Sequence, residues 1–214
     1  MNVEQTSDAL NDDVPVTVDF RRADHAQVWT ATAMSARPWR ADFFDVFAHA
    51  IAGAPLRRRC RVLELGSGPG FLAERLLAAS DSIGYVGLDF SPAMHTLAQQ
   101  RLGPMANRAQ FLERDLRHPG WGDGLGPFDF VVTHQAVHEL RHKRYAVALH
   151  AQARERLGPG GAYLVCDHFF GEGGMSNDRL YMTVDEQQQA LRSAGFTQVT
   201  ELLRKGGLTL HRAV

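Results

Sequence analysis

The stretch Arg61-Val62-Leu63-Glu64-Leu65-Gly66-Ser67-Gly68-Pro69-Gly70-Phe71-Leu72 runs an apolar strand into a glycine turn and then into a helix. Gly66, Gly68 and Gly70 let the backbone turn sharply and come close to a ligand, and the N–H groups opening the next helix face that ligand. A second apolar run, Tyr85-Val86-Gly87-Leu88, ends on Asp89, where a carboxylate can accept hydrogen bonds from both hydroxyls of a ribose. Together the two elements imply an adenosine ligand.

Glycine spacing and the neighbouring charge narrow the choice. A dinucleotide fingerprint needs its third glycine at position 71, where Phe71 stands. Glu64, just before the turn, would repel a pyrophosphate but suits a ligand whose other end is cationic. A nucleoside-triphosphate loop is excluded, because no Gly-Lys-Ser/Thr follows the glycines. A pyridine-dinucleotide reductase survives only as a weak rival.

Outward from this turn, the pattern predicts strands at 61–65, 84–88, 109–113, 129–133 and 161–167, with helices at 70–79, 92–101 and 142–156 between them. Such alternation means an α/β fold with a parallel sheet covered by helices on both faces. Thr183-Val184-Asp185-Glu186 reads as a capping box opening a helix over 184–194, and Gly206-Gly207 between two apolar runs reads as a hairpin turn. Upstream, Phe43, Val46, Phe47, Ala50 and Ile51 recur at helical spacing, with Ser35 as N-cap and with Gly53 and Pro55 as the stop. Residues 1 to about 20 are polar and aperiodic and read as flexible unless a ligand or partner orders them. A short helix is expected around Trp29, and residues 1–35 as a whole form a candidate lid.

Val62-Leu63-Glu64-Leu65-Gly66-Ser67-Gly68-Pro69-Gly70 and Gly87-Leu88-Asp89-Phe90-Ser91-Pro92-Ala93-Met94 resemble the first two motifs of the class I S-adenosylmethionine-dependent methyltransferases. Later landmarks follow in the same order: Phe111-Leu112-Glu113-Arg114-Asp115-Leu116, Phe128-Asp129-Phe130-Val131-Val132-Thr133-His134 and Leu157-Gly158-Pro159-Gly160-Gly161. The resemblance covers residues 36–214, read as the cofactor-binding domain. It implies a Rossmann-like three-layer sandwich whose seven-stranded, mostly parallel sheet carries an antiparallel C-terminal hairpin.

In such a sheet the ligand lies beyond the carboxyl ends of the strands where their order reverses. The resemblance then puts Gly66, Ser67, Gly68 and Gly70 at the methionine part of S-adenosylmethionine, with Glu64 acting on its amino group. Asp89 takes the ribose, Phe90 and Met94 flank the adenine, Asp115 accepts from the adenine amino group and Leu116 covers its face. His134 sits under the sulfonium. Plainer readings stand beside these: Met94 and Phe90 as core, Asp115 as an N-cap, Glu64 paired with a base.

Methyl transfer is an in-line displacement on an activated carbon, so the protein chiefly holds the acceptor and excludes water. A base is needed only if the acceptor must lose a proton. His134, His138 and His142 share one face if their segment is helical, and His168 follows the next strand, so His134, His138 and His168 are the candidate catalytic groups. For His138 a scaffold role is the plain alternative. Two histidines and a carboxylate also suit iron or zinc, but the spacing matches no recognised metal motif and no metal is assigned.

The absence of Asn/Asp-Pro-Pro-Tyr/Phe after the fourth strand argues against adenine or glutamine nitrogen as acceptor. A net charge of -1 gives no field that attracts a phosphate backbone, so nucleic acid is disfavoured. With 214 residues, 44% of them hydrophobic, one domain suffices. Cys60 and Cys166 read as buried free thiols, and Arg57-Arg58-Arg59-Cys60-Arg61 as a solvated lead into the first strand. No apolar run is long enough to span a membrane and the acidic N-terminus lacks a signal peptide's basic start, so the expected location is cytoplasmic.

These readings converge on methyl transfer to an O, N or S atom of a small molecule, with Trp29, Trp39, Phe43, Phe44, Phe169, Phe170 and Tyr181 as an apolar wall. Rival readings are elimination or ring closure of the cofactor's aminoalkyl chain, and a noncatalytic cofactor-binding subunit. Oligomeric state is left open.

Overall fold

The computed structural model describes residues 12–54 and 59–214. The expectations for residues 1–11, for Pro55 as a helix stop, and for Arg57 and Arg58 in the basic run lie outside the described residues. Two helices, α1 (Ala23–Ala36) and α2 (Arg40–Ala52), lead into the alternating part. It comprises β1 (Cys60–Leu65), α3 (Phe71–Ala79), β2 (Ile83–Asp89), α4 (Pro92–Leu102), β3 (Ala109–Glu113), β4 (Phe128–His134), α5 (Ala146–Glu155) and β5 (Leu157–His168). The chain closes with α6 (Val184–Ser193), β6 (Val199–Lys205) and β7 (Leu208–Ala213).

The seven strands lie in the order β3-β2-β1-β4-β5-β7-β6, and β7 runs antiparallel between β5 and β6. This is the mostly parallel Rossmann-like sheet with an antiparallel C-terminal hairpin. β1 is flanked by β2 on one side and β4 on the other, so the strand order reverses there and leaves a crevice beyond their carboxyl ends.

Alternating side chains of the strands feed two apolar layers. Val62 joins Phe43, Phe47, Ile51, Leu76 and Leu77 on the side of α2 and α3. Leu63 and Leu65 join Val131, Leu149, Ala153 and Leu191 on the side of α5 and α6. Phe43 and Phe47 are fully buried, and a buried side chain of this size contributes roughly 1.5–3 kcal/mol.

Three local expectations differ from the structure. The buried face of α2 is Arg40, Phe43, Phe44, Phe47, Ala48 and Ile51, turned toward Phe44 because that ring meets His134 at 4.8 Å. Ser35 lies inside α1, and α2 starts after Trp39 without a side-chain cap. After β4 the chain makes two single turns, His138–Leu140 and Lys143–Tyr145, before α5 begins at Ala146 rather than at 142. Positive φ at Gln135 (60°) and Arg141 (71°) interrupts any earlier helix. His134, His138 and His142 therefore do not share a helical face, and the His142 ring instead accepts from the Arg144 N–H and faces Asp12.

Residues 12–22 lie across the loops that follow β2, β3 and β4. The Val14 N–H donates to the Arg141 carbonyl at 2.8 Å, and the Ser91 hydroxyl donates to the Phe20 carbonyl. Asp13 accepts from the Tyr145 hydroxyl at 2.9 Å and pairs with Arg144 at 3.0 Å and Arg117 at 2.5 Å. Burial pushes its carboxyl up, but Tyr145, Arg117 and Arg144 together hold it below the usual carboxylate range.

The glycine turn is tight at Gly66, at φ 69°, where an added Cβ would lie 2.3 Å from the Ala136 Cβ. Gly66→Ala is therefore expected to cost about 2–5 kcal/mol through combined strain and overpacking. Gly68→Ala, with nothing within 4 Å of the added Cβ, is expected to cost only the left-handed strain, about 1–2 kcal/mol. Urea denaturation of both variants checks this; equal midpoints would contradict it.

Candidate functional site

The crevice between β1 and β4 opens into a cavity of about 210 Å³. Of the residues singled out from the sequence, Glu64, Gly66, Ser67, Gly68, Asp89, Phe90, Met94, Asp115, Leu116, His134, His138 and His168 all line it. Gly70 does not. Its positive φ of 80° serves the turn into α3, and its α carbon backs onto Ala98, which an added Cβ would meet at 3.0 Å. The glycine is thus fixed by helix packing rather than by the cavity.

The turn after β1 is fastened to β2. The Ser67 N–H donates to the Leu88 carbonyl, and the Gly68 N–H donates to Asp89 Oδ2, both at 2.8 Å. Asp89 Oδ1 accepts the Ser91 N–H at 2.9 Å. Burial raises the Asp89 carboxyl to about 6, against these backbone donors, which favour the anion. Beyond it lie Phe90, half-buried under the Arg21 guanidinium at 4.5 Å, and Met94, 3% exposed and N-capped by the Ser91 hydroxyl. Asp115 is exposed at the rim, where it accepts the Arg117 N–H at 2.9 Å and faces Arg21.

Glu64 sits at the cavity floor, 2% exposed, and accepts from the Tyr85 hydroxyl at 2.6 Å. No basic side chain pairs with it among the described residues. Burial raises its carboxyl to about 8 even though the Tyr85 hydroxyl favours the anion. The group holds a proton at neutral pH and would give it up to a cation placed beside it.

Three histidines stand at the opposite end, each in a different state. The ring of His138 lies between Asp167 Oδ1 at 2.6 Å and Glu139 Oε1 at 3.3 Å, and its backbone N–H donates to Asp167 Oδ2. Burial alone would lower its pKa, but the two carboxylates raise it well above the ordinary value, so the ring is an imidazolium with no lone pair. His168 Nε2 meets Gln135 Nε2 at 2.7 Å and its Nδ1 meets the Gly207 carbonyl at 3.3 Å. Burial, then the charge on His138, lowers it to about 4. His134 is enclosed by Phe43, Phe44 and Phe47, its Nε2 has no hydrogen-bond partner, and burial followed by Arg40 lowers it to about 3.

Four residues at this end escaped the sequence reading: Arg37, Arg40, Gln135 and Glu139. Arg40 was detectable, since it falls on the same helical face as Phe43, Phe44 and Phe47. Among the described residues, no cluster of three or more His, Cys, Asp or Glu side chains is arranged to hold a metal ion. No helix among them is long and apolar enough to cross a membrane.

The methyltransferase-domain family model matches residues 62–161, the span from the glycine turn to β5. The chain thus carries a methyltransferase domain, with the fold of the class I S-adenosylmethionine-dependent enzymes. This methyltransferase is 33% identical over 93 residues to the malonyl-[acyl-carrier protein] O-methyltransferase of Magnetococcus marinus, a match covering 44% of this chain and 33% of that relative. It thus spans only a third of that protein. An O-methyltransferase family protein from Burkholderia thailandensis shares the fold with a TM-score of 0.71 at 20% identity, over 91% of this chain and 60% of the other. The CurJ carbon methyltransferase does so with a TM-score of 0.65 at 18% identity, over 78% and 51%.

The buried groups of the methyltransferase set its response to pH. His134, His150, His168 and His211 are lowered to about 3, 4, 4 and 4, chiefly by burial, so each adds stability above 6.5 that is lost as pH falls. Glu64 and Asp89 act oppositely from their unfolded values up to about 8 and 6. Below pH 6 the lowered histidines outnumber the two raised carboxyls, so stability falls as pH falls. Above 6.5, His138 and Glu64 both lose stability as pH rises. Urea midpoints across the pH range are expected to peak near 6.5; a flat profile from 5 to 8 would contradict these states.

Proposed function

We propose that this methyltransferase moves a methyl group from S-adenosylmethionine to a small-molecule acceptor, releasing S-adenosylhomocysteine. The observation that carries the reading is one cavity lined by the buried Glu64 and Asp89 carboxyls of β1 and β2 and by Arg40 of α2 with Gln135 and the histidines of β4, β5 and the turn after β4. Bound S-adenosylmethionine supplies an electrophilic methyl carbon on a sulfonium sulfur.

The residues present fit that molecule. Gly68 leaves open space where a side chain would stand, and Asp89 keeps acceptor capacity for ribose hydroxyls beside the two N–H groups it already holds. Glu64 matches the amino group, Phe90, Met94 and Leu116 make an apolar slot for adenine, and Asp115 reaches its amino edge from the rim. His134, neutral in its cage of phenyl rings, adds no charge that would oppose a sulfonium. Phe20 and Trp29 close the cavity from the N-terminal side, which supports residues 12–35 as a lid that excludes water.

An oxygen acceptor is favoured over nitrogen, sulfur or carbon by the likeness to the Magnetococcus O-methyltransferase. A cytoplasmic location suits an enzyme that draws on this cofactor, and the low net charge keeps nucleic acid disfavoured as partner.

Calorimetry is expected to show S-adenosylmethionine binding and no micromolar binding of NAD; the reverse result would overturn the proposal. Asp89→Ala should weaken binding by about 1–3 kcal/mol through the ribose hydroxyls left unpaired. At pH 7 binding should also release close to one proton, read as an enthalpy that differs between phosphate and Tris buffers. Glu64→Gln should abolish that difference. A buffer-independent enthalpy in the parent protein would remove Glu64 from the amino group.

A further inference from the structure

The acceptor end of the cavity is cationic, and Arg37 and Arg40 meet no anion there among the described residues, although Arg40 lies 5.3 Å over the Trp29 ring. Arg40 opens α2 on the buried face and is 3% exposed. Its Nε donates to Gln135 Oε1 and its Nη1 to the Ala33 carbonyl, each at 2.6 Å, while its Nη2 has no partner among the described residues. No carboxylate pairs with it. A buried guanidinium is costly unless an anion meets it. Arg37 lines the same cavity, and its guanidinium makes no ion pair or hydrogen bond among the described residues. The acids nearest this end, Asp167 and Glu139, both hold His138.

The same end lacks a group ready to take a proton. Both ring nitrogens of His138 donate. Gln135 must turn its oxygen to Arg40, which only donates, so its amide N–H₂ donates to His168 Nε2 and fills that lone pair. His134 lines the cavity with its Nε2 buried among the phenyl rings, and burial lowers it to about 3, too weak a base for an alcohol or an ammonium. The Glu139 carboxylate, also on the cavity wall, is engaged by His138 and Arg141. An alcohol, a thiol or an ammonium group would find no base to deprotonate it, whereas a carboxylate arrives as its own nucleophile.

We infer that the acceptor is a carboxylic acid, held as its anion by Arg37 and the free amino group of Arg40 and methylated on oxygen. The carboxylate oxygen attacks the methyl carbon in line. The O–C bond forms as the C–S bond breaks, the electron pair of that bond stays on sulfur, and no proton moves. The products are a neutral methyl ester and a neutral thioether. One arginine–carboxylate attraction is lost on turnover, which favours release of the ester. This inference rests on the methyl transfer proposed above.

The test gives the full-length protein methyl-tritiated S-adenosylmethionine and a panel of straight-chain, aromatic and α,ω-dicarboxylic acids. The matched primary amides, alcohols, amines and thiols form the second arm. Label in a product that yields volatile methanol on mild alkali, from acids alone, is the expected result. Alkali-stable label from any member of the second arm, or no label from any acid, would overturn it. Arg37→Gln should raise KM for the responding acid by about 10- to 100-fold, the weight of a charge-assisted hydrogen bond, with cofactor affinity unchanged. Arg37→Lys should recover part of that loss, and an unchanged KM in Arg37→Gln would count against the assignment. Arg40→Gln is secondary, because its buried contacts to Ala33 and Gln135 also support the fold. Calorimetry on the same sample separates the two claims: cofactor binding without ester formation sinks the acid, and absence of cofactor binding sinks methyl transfer itself.

Discussion

One carboxylate ties the two ligand loops together. Asp89 takes the Gly68 N–H on one oxygen and the Ser91 N–H on the other, so the turn after β1 and the turn after β2 are fixed to each other through a single buried group. Neither turn is regular structure, and each would otherwise have to satisfy its own N–H groups with water. The energetic cost of burying the acid appears as its raised pKa, and the return is a rigid floor at the point where the strand order reverses. Close approach of the loop after β4 completes that floor, because Gly66 leaves room for Ala136 and for no larger neighbour.

At the far end, a chain of donors plays the corresponding part. Arg40 donates to Gln135, Gln135 to His168, and His168 through Nδ1 to the Gly207 carbonyl at the hairpin between β6 and β7. Since guanidinium can only donate, every link after it has one permitted direction, and the tautomer of His168 follows. Asp167 does the same for the loop after β4, accepting from the backbone and ring of His138 and from the His168 N–H. The strained φ of Gln135 persists because these contacts hold it from both sides.

Much of this frame was legible in the residues. β3 stands at the residues the alternation predicts, and the Thr183 capping box forms with both of its hydrogen bonds. These features are local, so propensity and pattern suffice to find them. The segment from Gln135 to Tyr145 was not legible as two single turns, because its shape is set by Asp167, more than twenty residues away in sequence, and by the ring of His142 capping Arg144. Spacing alone could place His134, His138 and His168 near one cleft. Their protonation states depend on which acids and phenyl rings the fold brings to them. Arg40 shows the same limit, since a cation on an apolar helix face signals a buried site only once its missing counter-ion is known.

The segment from Asp12 to Phe20 is bound by a different kind of force from the body beneath it. Its fastenings are carboxylates against Arg117, Arg144 and Arg179 and a few surface carbonyls, whereas the sheet is joined by apolar burial. Dissolved salt weakens the first and leaves the second nearly untouched. Under the lid reading proposed above, the cover and the chamber answer to separate controls, with the ionic strength of the surroundings setting how readily the chamber is uncovered while its walls keep their shape.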